Sequence, residues 1–220
     1  MTTYRGMTGW LSLGGYLEGT PKIAATVAVG ASEISITGGG STLTGIVAVG
    51  DTFTITGVDG THTVAGSFYE CTGNQITAFA LVSDIATAPF IDATVAFDSN
   101  SVGEVRLWNI NAEVQFAEDT AMGDKWETRV AGMATWNGSA ECMLDYDDAR
   151  QAELIDLIAA VTPTPDINAV IFGHTEEKMW YAASVLSNFA ITQNKDDIVT
   201  VTFTFAGQGD ILPRWDTGGD

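Results

Sequence analysis

The stretch that decides the fold reads VRLWNINAEVQF over residues 105–116. Apolar and polar side chains alternate along it, and alternation of this kind is typical of a β-strand that buries one face and exposes the other. We therefore predict one long, half-buried strand here. Its apolar series is Val105, Leu107, Trp108, Ile110, Ala112, Val114 and Phe116.

Further β-type runs follow this strand, separated by polar loops. A polar loop over residues 117–125 leads to runs at 126–130 and 136–144, which we predict to be consecutive antiparallel strands. The pattern indicates a mainly β domain. The later predicted strands are 169–173, 178–186, 188–193 and 198–206.

One segment has a helical period instead. Asp148 is a good N-cap, and Gln151 stands three residues later as its capping-box partner. Leu154 and Ile158 share one face of a helix predicted over residues 149–161, and this face is expected to pack on a sheet. Two prolines just beyond this range end the helix.

The part of the chain before residue 99 has a different texture. Between residues 22 and 98, short β-type runs alternate with glycine-rich turns, which predicts a small barrel or sandwich. Residues 23–98 contain no lysine or arginine, whereas the later half carries both signs of charge. The polar run at 99–103 is a candidate domain boundary.

The chain is acidic, with 9 Lys and Arg against 28 Asp and Glu and a formal net charge of -19. Affinity for nucleic acids comes largely from clustered cations that neutralise phosphates, so tight DNA or RNA binding is not expected. Hydrophobic residues make up 45% of the chain, which is too many for a disordered protein. A soluble chain this apolar is expected to bury surface against partners.

Neither a secretory leader nor a membrane span is predicted. Residues 1–15 lack a basic segment followed by a long apolar run, and no stretch is apolar over a length that crosses a bilayer. The protein is therefore expected to originate in the cytoplasm.

No catalytic, cofactor-binding or metal-binding residue is predicted. The chain has neither a GxxxxGK[ST] phosphate loop nor a GxSxG nucleophile motif. His62 and His174 lack partners at zinc-ligand spacing and are expected in turns or on the surface. Cys71 and Cys142 are expected to be free, buried thiols. The acidic run at 145–148 lacks the spacing of a calcium loop, and helix capping accounts for it.

Six tryptophans are the remaining candidates for a function. Aromatic side chains on alternating strands are expected to pack inward, and a sugar-stacking platform is the alternative. We predict that Trp10 and Trp215, near the ends of the chain, anchor an interface. The predicted core residues are Trp108, Trp126, Trp136, Leu154 and Ile158.

An ordered series of motifs carries a resemblance to a known family. Residues 108–110 read WNI, residues 119–126 read DTAMGDKW, and residues 131–139 read AGMATWNGS, before the acidic start of the helix. The last predicted strand ends as TFTFAGQG over residues 202–209. In this order, the motifs resemble those of the tail tube proteins of tailed bacteriophages, and the resemblance covers residues 104–212.

The resemblance implies a fold and a domain order. It implies a tail-tube-type β-sandwich or barrel with one short α-helix over residues 104–220, and an N-terminal arm with the first strand over residues 1–13. Residues 14–103 depart from the compact family pattern and are interpreted as an inserted, small all-β domain. Decoration of the tube exterior is the first expected role of this domain, and contact between neighbouring rings is the second.

The resemblance also implies a function without catalysis. Family members form hexameric rings that stack into a tube, and DNA leaves the virion through a lumen that is expected to be acidic and to let DNA slide through without specific binding. The expected partners are other copies and the tape-measure, tail terminator and tail tip proteins, with no cofactor and no membrane, in a virion tail assembled in the host cytoplasm. Residues expected at inter-ring or inter-subunit contacts are Trp10, Glu118, Asp119, Thr120, Met122, Gly123, Asp124, Lys125, Ile211 and Trp215.

Two other functions stay open on the residues alone. A β-sandwich of a virion surface or an adhesin would bind glycan or calcium through its tryptophans or its acidic insert. A hydrolase with paired carboxylates has weaker support, since nothing in the sequence places two carboxylates across a cleft.

Overall fold

The computed structural model describes residues 9–66, 68–118, 129–175, 178–193 and 198–215. Within them the protein is mainly β, with antiparallel sheets and one α-helix, as the sequence predicts. In chain order the elements are β1 (Trp10–Ser12), β2 (Tyr16–Glu18), β3 (Lys22–Ile23), β4 (Glu33–Thr37), β5 (Thr44–Val47), β6 (Thr52–Ile55), β7 (His62–Thr63), β8 (Tyr69–Glu70), β9 (Gln75–Ala80), β10 (Val95–Phe97), β11 (Ser101–Val102), β12 (Val105–Glu118), β13 (Arg129–Met143), α1 (Ala149–Ala159), β14 (Asp166–Thr175), β15 (Lys178–Thr192), β16 (Thr200–Gly207) and β17 (Leu212–Trp215).

The strands from β2 to β10, which we call the insert, build three small sheets around a hydrophobic core of their own. The sheets run β10-β6-β7, β2-β5-β8 and β3-β4-β9. Phe53 and Phe79 are fully buried in this core, and their ring centroids lie 5.8 Å apart. The insert therefore has its own source of hydrophobic stabilisation.

His62 of the insert is buried, although the sequence predicts it in a turn or on the surface. His62 is 5% exposed in β7, and its ring lies 5.5 Å from that of Phe53. The expectation of a turn or surface position is therefore wrong, because a two-residue strand is too short for alternation to show which face is buried. Burial lowers the pKa of His62, which favours the neutral imidazole.

The other strands form an eight-stranded antiparallel sheet in the order β11-β1-β14-β15-β16-β13-β12, with β17 also paired to β15. The long strand β15 joins two layers. Its first part pairs with β14 and β17, from Lys178 to Val185, and its last part pairs with β16, from Ser184 to Thr192. We call β11, β1, β14, β17 and the first part of β15 the β14 layer. The last part of β15, β16, β13 and β12 are the β13 layer.

The two layers pack face to face around a second hydrophobic core. The ring of Trp108 on β12 lies 5.8 Å from that of Phe172 on β14, and Trp108 Nε1 donates to the carbonyl of Gly173 at 3.0 Å. Phe172 contacts Phe205 of β16 edge to face, with centroids 5.7 Å apart. Burial of each Phe contributes on the order of 1.5–3 kcal/mol, so this core holds the layers together.

The helix α1 begins where the sequence predicts and ends slightly earlier. The Asp148 carboxylate accepts from the backbone N–H groups of Arg150 and Gln151, which confirms Asp148 as the N-cap. The helix ends at Ala159, before the predicted residue 161, because Ala160 already has an extended backbone. No helix among the described residues is long and apolar enough to span a bilayer.

Gln151 ties the start of this helix to the β13 layer. Its side chain is fully buried, accepts from Asp145 N at 3.1 Å, and donates to the carbonyls of Met143 at 2.9 Å and Gly103 at 3.1 Å. The prediction that it completes a capping box with Asp148 is therefore wrong. A buried amide must satisfy its own donors and acceptor, and the nearby loops supply the partners.

The hairpin of β12 and β13 is packed over only part of its length. Residues 111–116 and 129–135 are exposed on both faces of the two strands. β16 pairs with β13 only from Asn137 to Met143, so among the described residues the earlier part of β13 has no neighbour besides β12. The predicted strand is confirmed, but it is half-buried only as far as Ile110. We call residues 111–118 and 129–135 the hairpin extension.

The insert packs on the side of the β14 layer that faces away from the second core. Ile171, Met179 and Tyr181 are buried there against Ile46 of the insert, and they alternate with core residues along their strands. Tyr181 Oη donates to Glu70 Oε1 at 2.5 Å. Burial and this carboxylate together raise the pKa of Tyr181. The insert and the β13 layer therefore lie on opposite sides of the β14 layer.

Candidate assembly surfaces

The β13 layer has an unpaired strand edge on each side. β12 pairs with β13, and no described strand pairs with its other edge. On the opposite side, the pairing of β14 with β15 ends at Val185. One further hydrogen bond follows, in which Leu186 N donates to the Pro165 carbonyl at 2.7 Å. Among the described residues, positions 187–192 of β15 pair only with β16. Unpaired edges of this length invite pairing with another chain.

These two edges run in opposite directions. Every neighbouring pair in the layer is antiparallel, from β15 through β16 and β13 to β12, so β15 and β12 are antiparallel to each other. A copy rotated about an axis along the strands brings its β15 edge beside β12 of its neighbour as one more antiparallel pair. The layer can continue from copy to copy in the same pattern.

The face of the β13 layer that points away from the core is open and polar. Asn109 Nδ2 donates to Ser139 Oγ across the hairpin at 3.0 Å. Two carboxylates, Glu113 and Glu141, stand on this face, and Glu141 lies 3.9 Å from Arg106. Leu107, which is 59% exposed, lies opposite Glu141 on the same face. Amides and hydroxyls make up most of the remainder. They are Asn109, Asn111, Thr135, Asn137, Ser139, Asn188, Thr192, Thr200, Thr202 and Thr204.

The hairpin extension exposes large apolar side chains. Phe116 is 62% exposed and Met133 77%, and Val114 and Val130 are 45% and 53% exposed. Val114 and Phe116 lie on the same face of β12 as Trp108, so they continue the core face beyond the part that the β14 layer covers. Ala134 lies opposite Val114, so its neighbour Met133 lies on the other face of the hairpin. Both faces of the extension therefore expose apolar side chains.

The strand β13 connects two ends of its layer. It begins at the hairpin end, where β12 stops at Glu118, and finishes at the helix end, where Met143 pairs with Thr200 and α1 follows. At the helix end, Leu144 N donates to the Val199 carbonyl at 3.0 Å, which joins the loop before α1 to the start of β16. The length of β13 separates the two ends by about 45 Å.

The helix end also exposes apolar side chains. Tyr146, in the loop before α1, is 85% exposed, and Ile198 and Ile191 are 49% and 48% exposed. Asp145 and Asp147 flank Tyr146 and are exposed as well. This surface is apolar at its centre and negative at its border.

A buried carboxylate lies where the insert joins the sheet. Asp51 is 4% exposed and accepts from Gly15 N at 2.8 and 3.0 Å, from Ala48 N at 2.7 Å and from Asn100 Nδ2 at 2.9 Å. Burial raises the pKa of Asp51 to about 6, although these hydrogen bonds act in the other direction. Arg150 of α1 donates to Asn100 Oδ1 at 2.8 Å, so the network joins the insert, its linker and the helix.

Two cavities of about 260 and 240 Å³ flank this carboxylate. Arg150 lines the larger one and pairs with Glu153 at 2.7 Å. The oxygens of Asp51 face amide donors, which suits a structural joint and not an acid–base reaction. Sequence reasoning missed Asp51 because its partners Gly15 and Asn100 are 36 and 49 residues away, and no local motif announces them.

The described residues with a predicted contact role lie in two different places. Trp10 in β1 and Trp215 in β17 lie level with the beginning of β15, and Trp10 pairs with Gly173, to which Trp108 donates. Glu118 lies at the far end of the hairpin extension, opposite Arg129. Trp10 is half-buried, with its ring 4.4 Å from that of Tyr16, and Ile211 is half-buried against the second core. Their contact with another copy stays a prediction. Outside the described residues lie Asp119, Thr120, Met122, Gly123, Asp124 and Lys125.

The residues predicted to lie in the core are found at the second core where the structure describes them. Trp136 is 6% exposed and donates from Nε1 to the Gly209 carbonyl at 3.0 Å, and Leu154 is fully buried. Trp108 and Ile158 are half-buried against the same core. Trp126 lies outside the described residues.

Neither a metal site nor a sugar platform emerges from the described part of the chain. Within it, no three His, Cys, Asp or Glu side chains come together as metal ligands. The tryptophans whose side chains are described, Trp10, Trp108, Trp136 and Trp180, are buried or half-buried.

No family model and no curated protein matches this chain. Among solved structures, a chain from the tail of an empty GTA particle, obtained by helical refinement with C6 symmetry, is similar over 53% of this chain and 85% of its own length. The TM-score is 0.42 and the sequence identity is 10%. At this level of similarity, neither family nor function follows.

Proposed function

We propose that the protein is a non-catalytic structural subunit of a phage tail tube, which forms closed rings that stack. The observation that carries this proposal is the pair of open, antiparallel edges on opposite sides of the β13 layer. Such edges aggregate unless they are paired, and a closed ring pairs all of them. The ordered motifs between residues 108 and 209 support the tail tube as the type of ring.

Closure of the ring determines which face points inward. The core and the β14 layer occupy one face of the β13 layer, so the opposite face turns toward the ring axis. Six copies, the number that the family resemblance implies, would then form one continuous antiparallel barrel. Because the ring axis runs along the strands, each ring has two different ends and stacks in one direction.

The open polar face would line the channel of this tube. A passing DNA molecule would meet amides and hydroxyls such as those of Asn109, Ser139 and Thr204. Proteins hold DNA mainly through cations that neutralise phosphates, so a channel of this kind lets DNA slide. Glu113 and Glu141 stand on the same face, and the lining is therefore less acidic than the net charge of the chain suggests.

The insert would lie on the exterior of the tube. It packs on the side of the β14 layer that faces away from the β13 layer, and so away from the channel. Decoration of the exterior is its proposed role. Tape-measure protein in the lumen, and terminator and tip proteins at the ends, are the further partners proposed for a tube in a virion tail.

Electron microscopy of the purified protein over a range of concentrations tests the assembly. Rings or tubes with a central channel are the expected result. A monomer that persists at every concentration, also in the presence of tape-measure and chaperone proteins, would contradict the proposal and return attention to glycan or calcium binding.

A photo-crosslinking amino acid tests the edge pairing itself. Placed at Asn111 on the open edge of β12, it should crosslink to residues 187–192 of another copy, identified by mass spectrometry. The matched control is Thr202, which lies on the same face but in the interior strand β16. Equal intermolecular crosslinking from both positions would exclude edge pairing as the ring contact.

A further inference from the structure

Two of the small sheets of the insert, together with a third strand pair, join into one closed barrel. Isolated bridges connect Lys22 with Thr94 and Val64 with Leu81, which completes the cyclic strand order β3-β4-β9-β7-β6-β10. Each of these strands therefore has a neighbour on both sides. A closed barrel offers another chain no edge with which to pair, so a partner of the insert has to be met by side chains.

The barrel has one end at the joint with the eight-stranded sheet and one end away from it. Neighbouring strands are antiparallel, so the loops from β3 to β4, from β6 to β7 and from β9 to β10 lie at the same end. β10 then runs to the opposite end, where Asn100 donates to Asp51 at the joint. We call the loops at the end away from the joint, residues 24–32, 56–61 and 81–94, the cap.

The cap exposes large apolar side chains. Phe90 is 79% exposed and its neighbour Ile91 is 55% exposed, and Val29 and Val82 are 66% and 67% exposed. Among the described residues of the insert, no other large hydrophobic side chain is exposed. A backbone hydrogen bond of 2.8 Å joins the first loop of the cap to the last. Exposed apolar side chains gathered at one end mark a surface that meets a partner.

The charge of the cap is negative. Asp59, Asp84 and Asp92 are exposed on its loops, and residues 23–98 contain no lysine or arginine. Lys22, the cation next to this range, extends its side chain to Gly39 in the turn after β4, at the opposite end of the barrel. Within the insert, carboxylates are thus the only charged groups that share the cap with the apolar side chains.

This charge decides which occupant fits the cap. Two caps placed face to face would bring carboxylates together, and like charges across an interface repel each other. Anionic lipid headgroups and DNA phosphates would be repelled in the same way. A protein surface with an apolar centre and a rim of lysine or arginine matches both the apolar side chains and the carboxylates.

We propose that the cap is the docking site for a partner protein of another kind, whose contact surface is apolar at its centre and basic at its rim. Phe90 is the anchor, because aromatic side chains carry much of the binding energy in protein interfaces. The exterior position of the insert rests on the proposed tube. The cap itself is present in a single copy, so it binds its partner with or without a ring.

A pair of helical peptides tests the chemistry of the partner with the full-length protein. One peptide presents leucine on one face and lysine on the other, and the second has glutamate in place of lysine. Isothermal titration calorimetry should show saturable binding of the lysine peptide, with the glutamate peptide weaker by about tenfold or more. Absence of saturable binding, or equal affinity for the two peptides, would overturn the proposal.

Matched variants locate the binding on the cap. Phe90→Ser should weaken binding of the lysine peptide by about tenfold or more. Phe116→Ser removes a ring that is 62% exposed outside the insert, and it should bind the peptide as the wild type does. Circular dichroism checks that both variants are folded, as expected for side chains that are mostly exposed. Wild-type affinity of Phe90→Ser, or equal losses in the two variants, would exclude the cap as the site.

A second pair of variants tests the carboxylates. Asp92→Asn should weaken binding of the lysine peptide by about threefold or more, because it removes a charge from the cap. Asp147→Asn removes an exposed charge from the loop before α1 and should leave the affinity unchanged. An equal effect of the two variants would indicate general attraction to an acidic protein and would contradict docking on the cap.

Two further measurements distinguish the other occupants. Binding of phosphatidylcholine–phosphatidylglycerol vesicles that is lost in Phe90→Ser would assign the cap to a membrane. Self-association in sedimentation that is lost in the same variant would assign it to a second copy, and either result would overturn the proposal. Absence of rings in electron microscopy would instead overturn the proposed tube, and the peptide titrations would still decide the role of the cap.

Discussion

The two parts of the β12–β13 hairpin have similar sequences and different surroundings. In one part, Trp108 and Trp136 pack between the two layers. In the other, Phe116 and Met133 are mostly exposed on a ribbon of two strands. Along β12, apolar and polar residues alternate in both parts, so alternation predicts the strand and its faces but not what covers them.

The difference shows how the two parts of one hairpin serve different purposes. The packed part obtains its stability within the monomer, because β16 and the β14 layer lie against it. The extension obtains no such cover from the described residues, and its apolar side chains become useful only in contact with another copy. Four predictions test this division, in order of decreasing effect.

The largest effect is expected in the packed part. Trp136→Ala should lower the free energy of unfolding by about 3–5 kcal/mol, because it empties a core position that is 6% exposed. Met133→Ala, on the same strand but 77% exposed, should change it by less than about 0.5 kcal/mol. Chemical denaturation of both variants under monomeric conditions measures this difference, and equal losses would remove the distinction between the two parts.

The second prediction concerns the protonation of Asp51, the buried carboxylate where the insert joins the sheet. Because burial raises the pKa of Asp51 from 3.8 to about 6, the folded protein binds this proton more tightly than the unfolded chain does. The stabilisation from protonated Asp51 is complete below pH 3.8 and is lost as the pH rises through 6, by roughly 2–3 kcal/mol.

Asp51→Asn removes this titration. The free energy of unfolding of the wild type, minus that of the variant, should therefore fall between pH 4 and pH 7. Denaturant titrations at several pH values measure the difference between the two proteins. A difference that stays constant over this range would show that Asp51 has an ordinary pKa.

A smaller loss of stability is expected at Gly207, where the backbone lies against the indole of Trp136. A Cβ atom on Gly207 would lie 2.2 Å from Trp136 Nε1, so Gly207→Ala should displace the ring and cost about 1–3 kcal/mol. Gly40→Ala is the matched control, because no atom lies within 4 Å of its Cβ position. Thermal unfolding compares the two, and a loss of stability in the control alone would be contrary to the packing described.

The smallest effect on folding, combined with an effect on assembly, is expected in the extension. Phe116→Ser should change the free energy of unfolding by no more than about 0.5 kcal/mol, since the side chain is 62% exposed. The same variant should assemble less readily, as measured by sedimentation. A strongly destabilised monomer would mean that the extension packs within its own chain.

The sequence by itself determined the features that depend on neighbours a few residues away. The alternation over residues 105–116 predicted a long strand, and Asp148 predicted the first residue of the helix, because strand faces and helix caps are local. The mainly β class followed from many such local patterns. The likeness of the motifs to tail tube proteins is likewise a property of the sequence alone.

Only the tertiary structure decided which of these faces are covered and which edges stay open. Gln151 and His62 were misjudged because distant strands and loops surround them, and Asp51 gave no local signal at all. The edge of β15 is open because its pairing with β14 ends at Val185, and the edge of β12 is open because β12 is the last described strand of its sheet. Burial and edge pairing depend on residues far apart in the chain, so no local pattern contains them.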